Sequence, residues 1–374
     1  MQFINLKLQQ LKIRENIEAR IKKVMDHGQY IMGPEVLELE EILAEDVGVR
    51  HCISCSSGTD ALLILLMAKN IGPGDSVITT PFTYIATAEV IALLGATPVF
   101  VDIYEETYNI NASGIEKAII YSKEKGLIPK AIIPVDLFGL PSRYRMIEKI
   151  AHEHDLFIIE DSAQGYGGEI KGKKSCSFGN AATTSFFPSK PLSCYGDGGA
   201  IFTNSSTLAE ISKSIRIHGC GENKYNNIRI GINGRLDSIQ AAILIEKFKI
   251  FKEEILLRDI IANRYNTNLS KSFKIPYIPL DYKTSWAQYS ILIPKGHDRE
   301  TIINKLKGKN IPTMIYYPIP LHLQRVFQKL GYNKGDFPIS ENISGRIISI
   351  PMHPYINVND QEQIIEELNK IIKN

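Results

Sequence analysis

From about residue 50 to residue 205, short apolar runs alternate with amphipathic stretches. "SVITT", "TPVFVDI", "KAIIPVDLF", "LFIIED", "ATTSFF" and "GAIFTN" are unbroken enough to be strands covered on both faces. Between them, "DALLILLMAKN", "TAEVIALLG" and "SRYRMIEKIAHEHD" repeat apolar residues at helical spacing, with turn signals such as "GPGD" at their borders. This alternation predicts βαβ units, hence an α/β fold with a mostly parallel central sheet flanked by helices.

Residues 236–269 form a helical block longer than a usual single helix, so a bend or break is expected within it. Beyond about residue 270 the chain is richer in Pro, Tyr and Lys. There "SWAQYSILIP" and "IPTMIYYPIPLHLQ" read as short strands or loops, and "DQEQIIEELNKIIK" as a closing amphipathic helix. The expected division is a large domain over 1–250, including an N-terminal helical arm, and a smaller α+β domain over 251–374.

A chain of 374 residues with 44% hydrophobic and 22% charged residues is an ordinary globular composition. The net charge of +2, with both signs interleaved, makes no electrostatic case for nucleic acid. The start is polar and charged, and no run approaches the roughly 18 apolar residues of a membrane span. A cytoplasmic protein with no membrane partner is expected.

Cys52 and Cys55 form one CxxC without the second pair a zinc site needs, and they sit on an apparent strand. They read as structural thiols, and no metal is expected. "GGEIKGKK" has the glycine and lysine spacing of a phosphate loop, but Lys174 stands where a magnesium-binding Ser or Thr belongs. No GxGxxG follows a strand, and "HEHD" lacks the HExxH spacing.

Three features fall at the carboxyl ends of predicted strands, where open α/β sheets bind ligands. In "CISCSSGTDALLILL" a small-residue turn at Ser56, Ser57, Gly58 and Thr59 runs straight into a helix, whose first N–H groups favour an anion. By itself this turn reads first as an ordinary capped helix start. In "LFIIEDSAQGYGG" a buried strand ends in Glu160 and Asp161, with Gln164 three residues after Asp161. A carboxylate there is costly unless a cation or donors meet it, or unless it caps the next segment.

In "TSFFPSKPLSCYGDGGAIFTN" a strand leads through Pro188 and Ser189 to Lys190. An amine withdrawn from water has a lowered pKa and can attack an aldehyde, whereas an exposed loop lysine does neither. A phosphate cradle, a carboxylate for a protonated pyridine nitrogen and an amine for an aldehyde together suit pyridoxal 5'-phosphate.

"SSGTDALLILLMA", "TPFTYIATAEVIALLGATPVFVDI", "EDSAQGYGG", "TSFFPSKPLSCYGDGGAIFTN" and "GINGRLDSIQAAIL" resemble the DegT/DnrJ family of pyridoxal-phosphate sugar aminotransferases over nearly the whole chain. The resemblance implies a fold-type I transferase that is homodimeric, with active sites shared between subunits. It implies that Lys190 links covalently to the cofactor and then moves a proton, that Asp161 pairs with the pyridine nitrogen, and that Gln164 reaches the phenolic oxygen. Gly58, Thr59 and Asp60 would give backbone donors to the phosphate, joined by the Ser185 hydroxyl. Tyr84 would stack on the ring, unless it is plain core packing. Asn233 and Arg235 would reach the partner subunit's phosphate.

"SFFPSKPLSCYGDGG", "GINGRLD" and "YYPIPLHLQ" are most similar to the branch that aminates carbon 3 of UDP-2-acetamido-2-deoxy-3-oxo-glucuronate, from glutamate, for O-antigen or lipopolysaccharide biosynthesis. Enzymes acting on dTDP-3-keto- or 4-keto-6-deoxyhexoses share much of this wording, and a cofactor-binding regulatory protein without turnover is the alternative from another class. Tyr316, Tyr317 and His322 are candidate sugar contacts, with a structural role open for His322. Where many relatives carry histidine, this chain has Asp136, a difference expected to bear on sugar choice and not on cofactor binding.

Overall fold

The computed structural model describes residues 1–223 and 225–373. The chain opens with helices α1 (Leu6–His27) and α2 (Pro34–Val47). It continues through β1 (His51–Cys55), α3 (Gly58–Ala68), β2 (Asp75–Thr79), α4 (Ala86–Leu93), β3 (Thr97–Phe100), α5 (Ile115–Glu124), β4 (Ile128–Ile132), α6 (Tyr144–Glu153) and β5 (Phe157–Asp161). A small hairpin, β6 (Glu169–Ile170) and β7 (Lys173–Lys174), precedes β8 (Ala181–Ser185), β9 (Gly199–Thr203), α7 (Ser206–Arg216) and α8 (Ser238–Asn268).

The seven-stranded sheet has the order β1-β9-β8-β5-β4-β2-β3, and β9 alone runs against its neighbours. Every strand expected from the apolar runs between residues 76 and 204 is in it. Both faces are covered, which is why those runs carry no polar alternation. Ile53, Val77, Ile159 and Ile201 pack under α3, α4 and α7. Ile78, Val99, Ile132 and Ile158 face α5 and α6, while Cys52, Ala182 and Phe202 face α2 and α8.

One strand is shorter than its apolar run. "KAIIPVDLF" leaves the ladder at Ile132, because Pro134 has no N–H to give. Pro134 instead accepts from Asp161 N at 2.9 Å, and Asp136 N donates to Asp161 O at 3.0 Å. The chain then turns at Leu137–Gly139.

Of the bend or break expected in the long helical block, no break occurs: α8 is one uninterrupted helix of 31 residues. It contains no Gly or Pro to break it. Its two halves serve two cores. Ala241, Leu244, Ile245 and Phe251 pack with α2 and the sheet. Ile261, Ala262 and Tyr265 pack in the second core with Tyr289, Ile291, Ile348 and Ile350.

After α8 come β10 (Tyr282–Lys283), which pairs with β6 of the hairpin, then β11 (Tyr289–Leu292), α9 (Arg299–Gly308), α10 (Pro338–Arg346), β12 (Ile347–Ile350) and α11 (Val358–Lys373). The second core is built by antiparallel β11 and β12 with α9 and α11, while Ile343 of α10 packs with Phe82 and Leu137. Among the described residues, no helix is long and apolar enough to cross a membrane, and no His, Cys, Asp or Glu cluster suits a metal ion.

Candidate active site

The ends of β5 and β8 and the turn after β1 open onto a cavity of about 430 Å³. The turn is built by its serines. Ser57 Oγ accepts from Asp60 N at 3.0 Å, capping α3, while Asp60 Oδ2 accepts from Ser56 Oγ and Ser57 Oγ. The N–H groups of Gly58 and Thr59, both lining the cavity, have no intrahelical acceptor. Asp60, expected as a third backbone donor, has its N–H engaged in the cap and does not line the cavity.

Packing beneath the turn explains the glycines. A Cβ on Gly58 would fall 2.7 Å from Ser185 Cβ, and one on Gly199 would fall 2.5 Å from the Ser57 carbonyl. Ser185, at the end of β8, thereby sits against the turn with its side chain on the cavity.

Asp161 is buried and lines the same cavity. Its carboxylate accepts from Thr87 Oγ1 at 2.8 Å and from Ala163 N at 3.2 Å. Burial raises its pKa, and Thr87, Ala163 N and the charge on Lys190 offset part of that rise. Lys190 is partly buried across the cavity, and loss of water pulls its pKa down to about 8 despite the attraction of Asp161.

Gln164 has both amide ends engaged: Oε1 accepts from Phe138 N at 2.6 Å and Nε2 donates to Tyr317 Oη at 3.0 Å. Tyr84 is 58% exposed, which rules out plain core packing; its ring lies 6.3 Å from that of Tyr317. Tyr316 and Tyr317 both line the cavity.

Besides Asp60, three more expected residues are outside that lining. Asn233 and Arg235 pair with each other, Arg235 Nε reaching Asn233 Oδ1 at 3.0 Å, on a turn whose Gly234 carbonyl accepts from Ser56 N. His322 is buried, with Nε2 3.0 Å from Glu341 Oε1 and its ring 4.6 Å from Phe337. Asp136 is off the cavity too: enclosed, it accepts from Ser142 N, Tyr144 Oη, Ser162 Oγ and Ser175 Oγ. Burial pushes its pKa up to about 6. Cys52 and Cys55 are buried in β1, and burial pushes the Cys55 thiol up to about 12, which suits packing and not redox chemistry.

Sequence reasoning missed Thr87, which holds Asp161, and Gln288, which reaches the cavity from the segment before β11. Thr83 and Thr87 were visible as two hydroxyls one helical turn apart in an apolar stretch beside the site, and their Oγ1 atoms are 3.2 Å apart. Nothing local marked Gln288.

The sequence pattern of the DegT/DnrJ/EryC1/StrS aminotransferase family matches residues 11–369. The chain belongs to this family. The aminotransferase is 46% identical, over 96% of both chains, to the UDP-2-acetamido-2-deoxy-3-oxo-D-glucuronate aminotransferase of Pseudomonas aeruginosa. Its fold superposes on a DegT DnrJ EryC1 StrS aminotransferase from Brucella abortus with a TM-score of 0.96, at 48% identity over 99% of both chains. NtdA from Bacillus subtilis, a structure with bound cofactor PMP, has a TM-score of 0.89 at 30% identity, covering 97% of this chain and 82% of that one.

Like its family, the aminotransferase uses pyridoxal 5'-phosphate, and the cavity fits that group. Its helix mouth offers backbone donors where Gly58 leaves no room for a Cβ. A buried carboxylate faces the same space as an amine whose pKa is lowered to about 8. When bound, the cofactor acts as an electron sink for the carbon that carries the transferred amine.

Proposed function

We propose that this aminotransferase moves an amino group from L-glutamate to carbon 3 of a nucleotide-linked keto sugar of the UDP-2-acetamido-2-deoxy-3-oxo-glucuronate type, for O-antigen or other surface polysaccharide. The observation that carries the chemistry is Lys190, with its lowered pKa, in one cavity with the buried, Thr87-held Asp161. The choice of sugar is supported by the 46% identity to the Pseudomonas aeruginosa enzyme.

In this reading Asp161 keeps a proton on the ring nitrogen, and Gly58, Thr59 and Ser185 hold the phosphate. Tyr84 covers one ring face, and Gln164, oriented from both ends, meets the phenolic oxygen. Lys190 Nζ would hold the cofactor through its aldehyde carbon, with loss of water, and, once displaced by the donor's amine, would take and return the proton at the reacting carbon. Tyr316 and Tyr317 border the sugar, and His322 supports their segment from behind.

The enzyme would work as a cytoplasmic homodimer, with Asn233 and Arg235 crossing to the partner's phosphate. Exposure of Asn233, and of Ile228 and Ile230 at 57% and 84% on the same loop, supports a partner there. The deciding experiment gives purified protein the cofactor, reduces it with borohydride and maps the label. It then offers glutamate alone, followed by UDP- and dTDP-linked 3-keto and 4-keto sugars. Label at Lys190, conversion of the cofactor by glutamate and amine formation on the UDP-3-keto-uronate support the reading. No conversion by glutamate would leave a binding protein, and reaction only with a dTDP-linked deoxyhexose would reassign the sugar.

A further inference from the structure

Gln288 lies one residue before β11 and borders two spaces at once: the 430 Å³ cavity and an adjoining pocket of about 20 Å³. Its amide ends differ in their surroundings. Oε1 is enclosed and has no hydrogen-bond partner, whereas Nε2 makes no hydrogen bond but is not enclosed. Gln164, in the same cavity, has both amide ends bonded to protein. Gln288 is built differently.

Thr107 and Tyr108 line the same small pocket, and each has an enclosed hydroxyl without a partner, Thr107 Oγ1 and Tyr108 Oη. Three such atoms around one space are costly unless something bridges them. The pocket exceeds the roughly 10–15 Å³ that one water needs, and a water has two donors and two acceptors to offer a carbonyl and two hydroxyls. Thr107 and Tyr108 would thus anchor Oε1 through a single water.

The backbone that carries Gln288 is firmly held. Trp286 Nε1 donates to Asp259 at 2.6 Å, Trp286 O accepts from Arg258 at 2.9 Å, and Ser285 Oγ donates to the Gln164 carbonyl at 2.6 Å. A polar group on a rigid element that lines a ligand cavity, with its enclosed end within reach of one water and its open end unbonded, has the design of a binding contact.

We propose that Gln288 is a substrate-binding residue whose Nε2 donates to an acceptor oxygen of the bound substrate, with a water held by Thr107 and Tyr108 fixing the amide's orientation. This rests on the aminotransferase reading above, in which two substrates take turns in one cavity. The oxygen can belong to the amino donor's carboxylate or to the keto sugar, and the two half-reactions tell them apart.

The test compares wild type with Gln288→Met, Gln288→Glu and Tyr108→Phe. Each half-reaction is followed by the cofactor's absorbance, with glutamate alone and then with the keto sugar. Gln288→Met should raise KM in one arm by about 5–50-fold, more than it lowers kcat, as expected for loss of one hydrogen bond. The arm that moves identifies the substrate. Gln288→Glu should be worse than Met if the oxygen is a carboxylate, through repulsion, and milder than Met if it is a hydroxyl, which can donate back.

Tyr108→Phe, which touches no substrate, should shift the same KM in the same direction by about 2–5-fold by loosening the water. It decides the matter if the Gln288 variants do not fold. Unmoved KM values in both arms for the folded variants overturn the proposal while leaving the enzyme's function intact. A wild type that gives neither half-reaction overturns the aminotransferase reading and this inference with it.

Discussion

Thr87 Oγ1 donates to Asp161 Oδ2 across 2.8 Å, joining the first turn of α4 to the tip of β5. The bond favours the ionised carboxylate against the burial that raises its pKa. Thr87→Val keeps the shape and removes the donor, so Asp161 should protonate more readily and hold a cationic ring nitrogen less well. The expected outcome is a cofactor affinity lower by about 3–30-fold, from a hydrogen bond to a charged group. Absorbance titration of the apoprotein measures it, and an unchanged affinity would show that Asp161 does not depend on Thr87.

The reach of that bond bears on what was legible in advance. The strand tips could be read because an apolar run covered on both faces must end where the sheet ends, which set Asp161 apart as a carboxylate in an unlikely place. Lys190 and the Ser57–Gly58 turn stood out for the same local reason. Thr87 and Gln288 did not, because their partners are distant in sequence: 74 residues separate Thr87 from Asp161. Gln288 joins the cavity only because the segment before β11 closes over it. His322 was ambiguous until Glu341 appeared beside it. α8 was expected to break by length alone, whereas its two cores keep it whole.

The Lys190 amine should set the pH dependence of cofactor uptake. Its pKa is lowered to about 8, so the uncharged, nucleophilic form grows as pH rises through that value. Roughly one-tenth of the amine is uncharged one unit below its pKa and nine-tenths one unit above. Uptake by apoprotein should therefore quicken between pH 7 and 9 and level off beyond. In Asp161→Asn the attraction that holds the pKa up is lost, so the midpoint should move lower. Stopped-flow absorbance gives both curves, and a midpoint near the ordinary lysine value would contradict the burial of the amine.

Gly199→Ala tests the packing beneath the phosphate turn. The added Cβ would meet the Ser57 carbonyl at 2.5 Å, backbone that cannot swing away as a side chain can. Overpacking of this kind costs about 1–3 kcal/mol. Both the melting temperature and the phosphate affinity should fall, since the strain is placed on the turn whose N–H groups face the cavity. Thermal denaturation with and without inorganic phosphate separates the two effects. A Tm equal to wild type would show that the turn yields freely.

Asn233 and Arg235 lie outside their own chain's cavity, and a mixing experiment asks whether they complete a neighbour's. Lys190→Ala and Arg235→Ala should each be nearly inactive alone, for different reasons. If Lys190 and Arg235 in one active site come from different subunits, a hybrid dimer contains one doubly altered site and one intact site. Equal mixing makes hybrids half of all dimers, so about a quarter of the wild-type activity should return after the subunits are unfolded and refolded together. If both residues served the same chain's site, every site in the mixture would carry one defect and nothing would return. The recovered activity thus reads directly whether the half-buried Arg235 belongs to the site across the dimer.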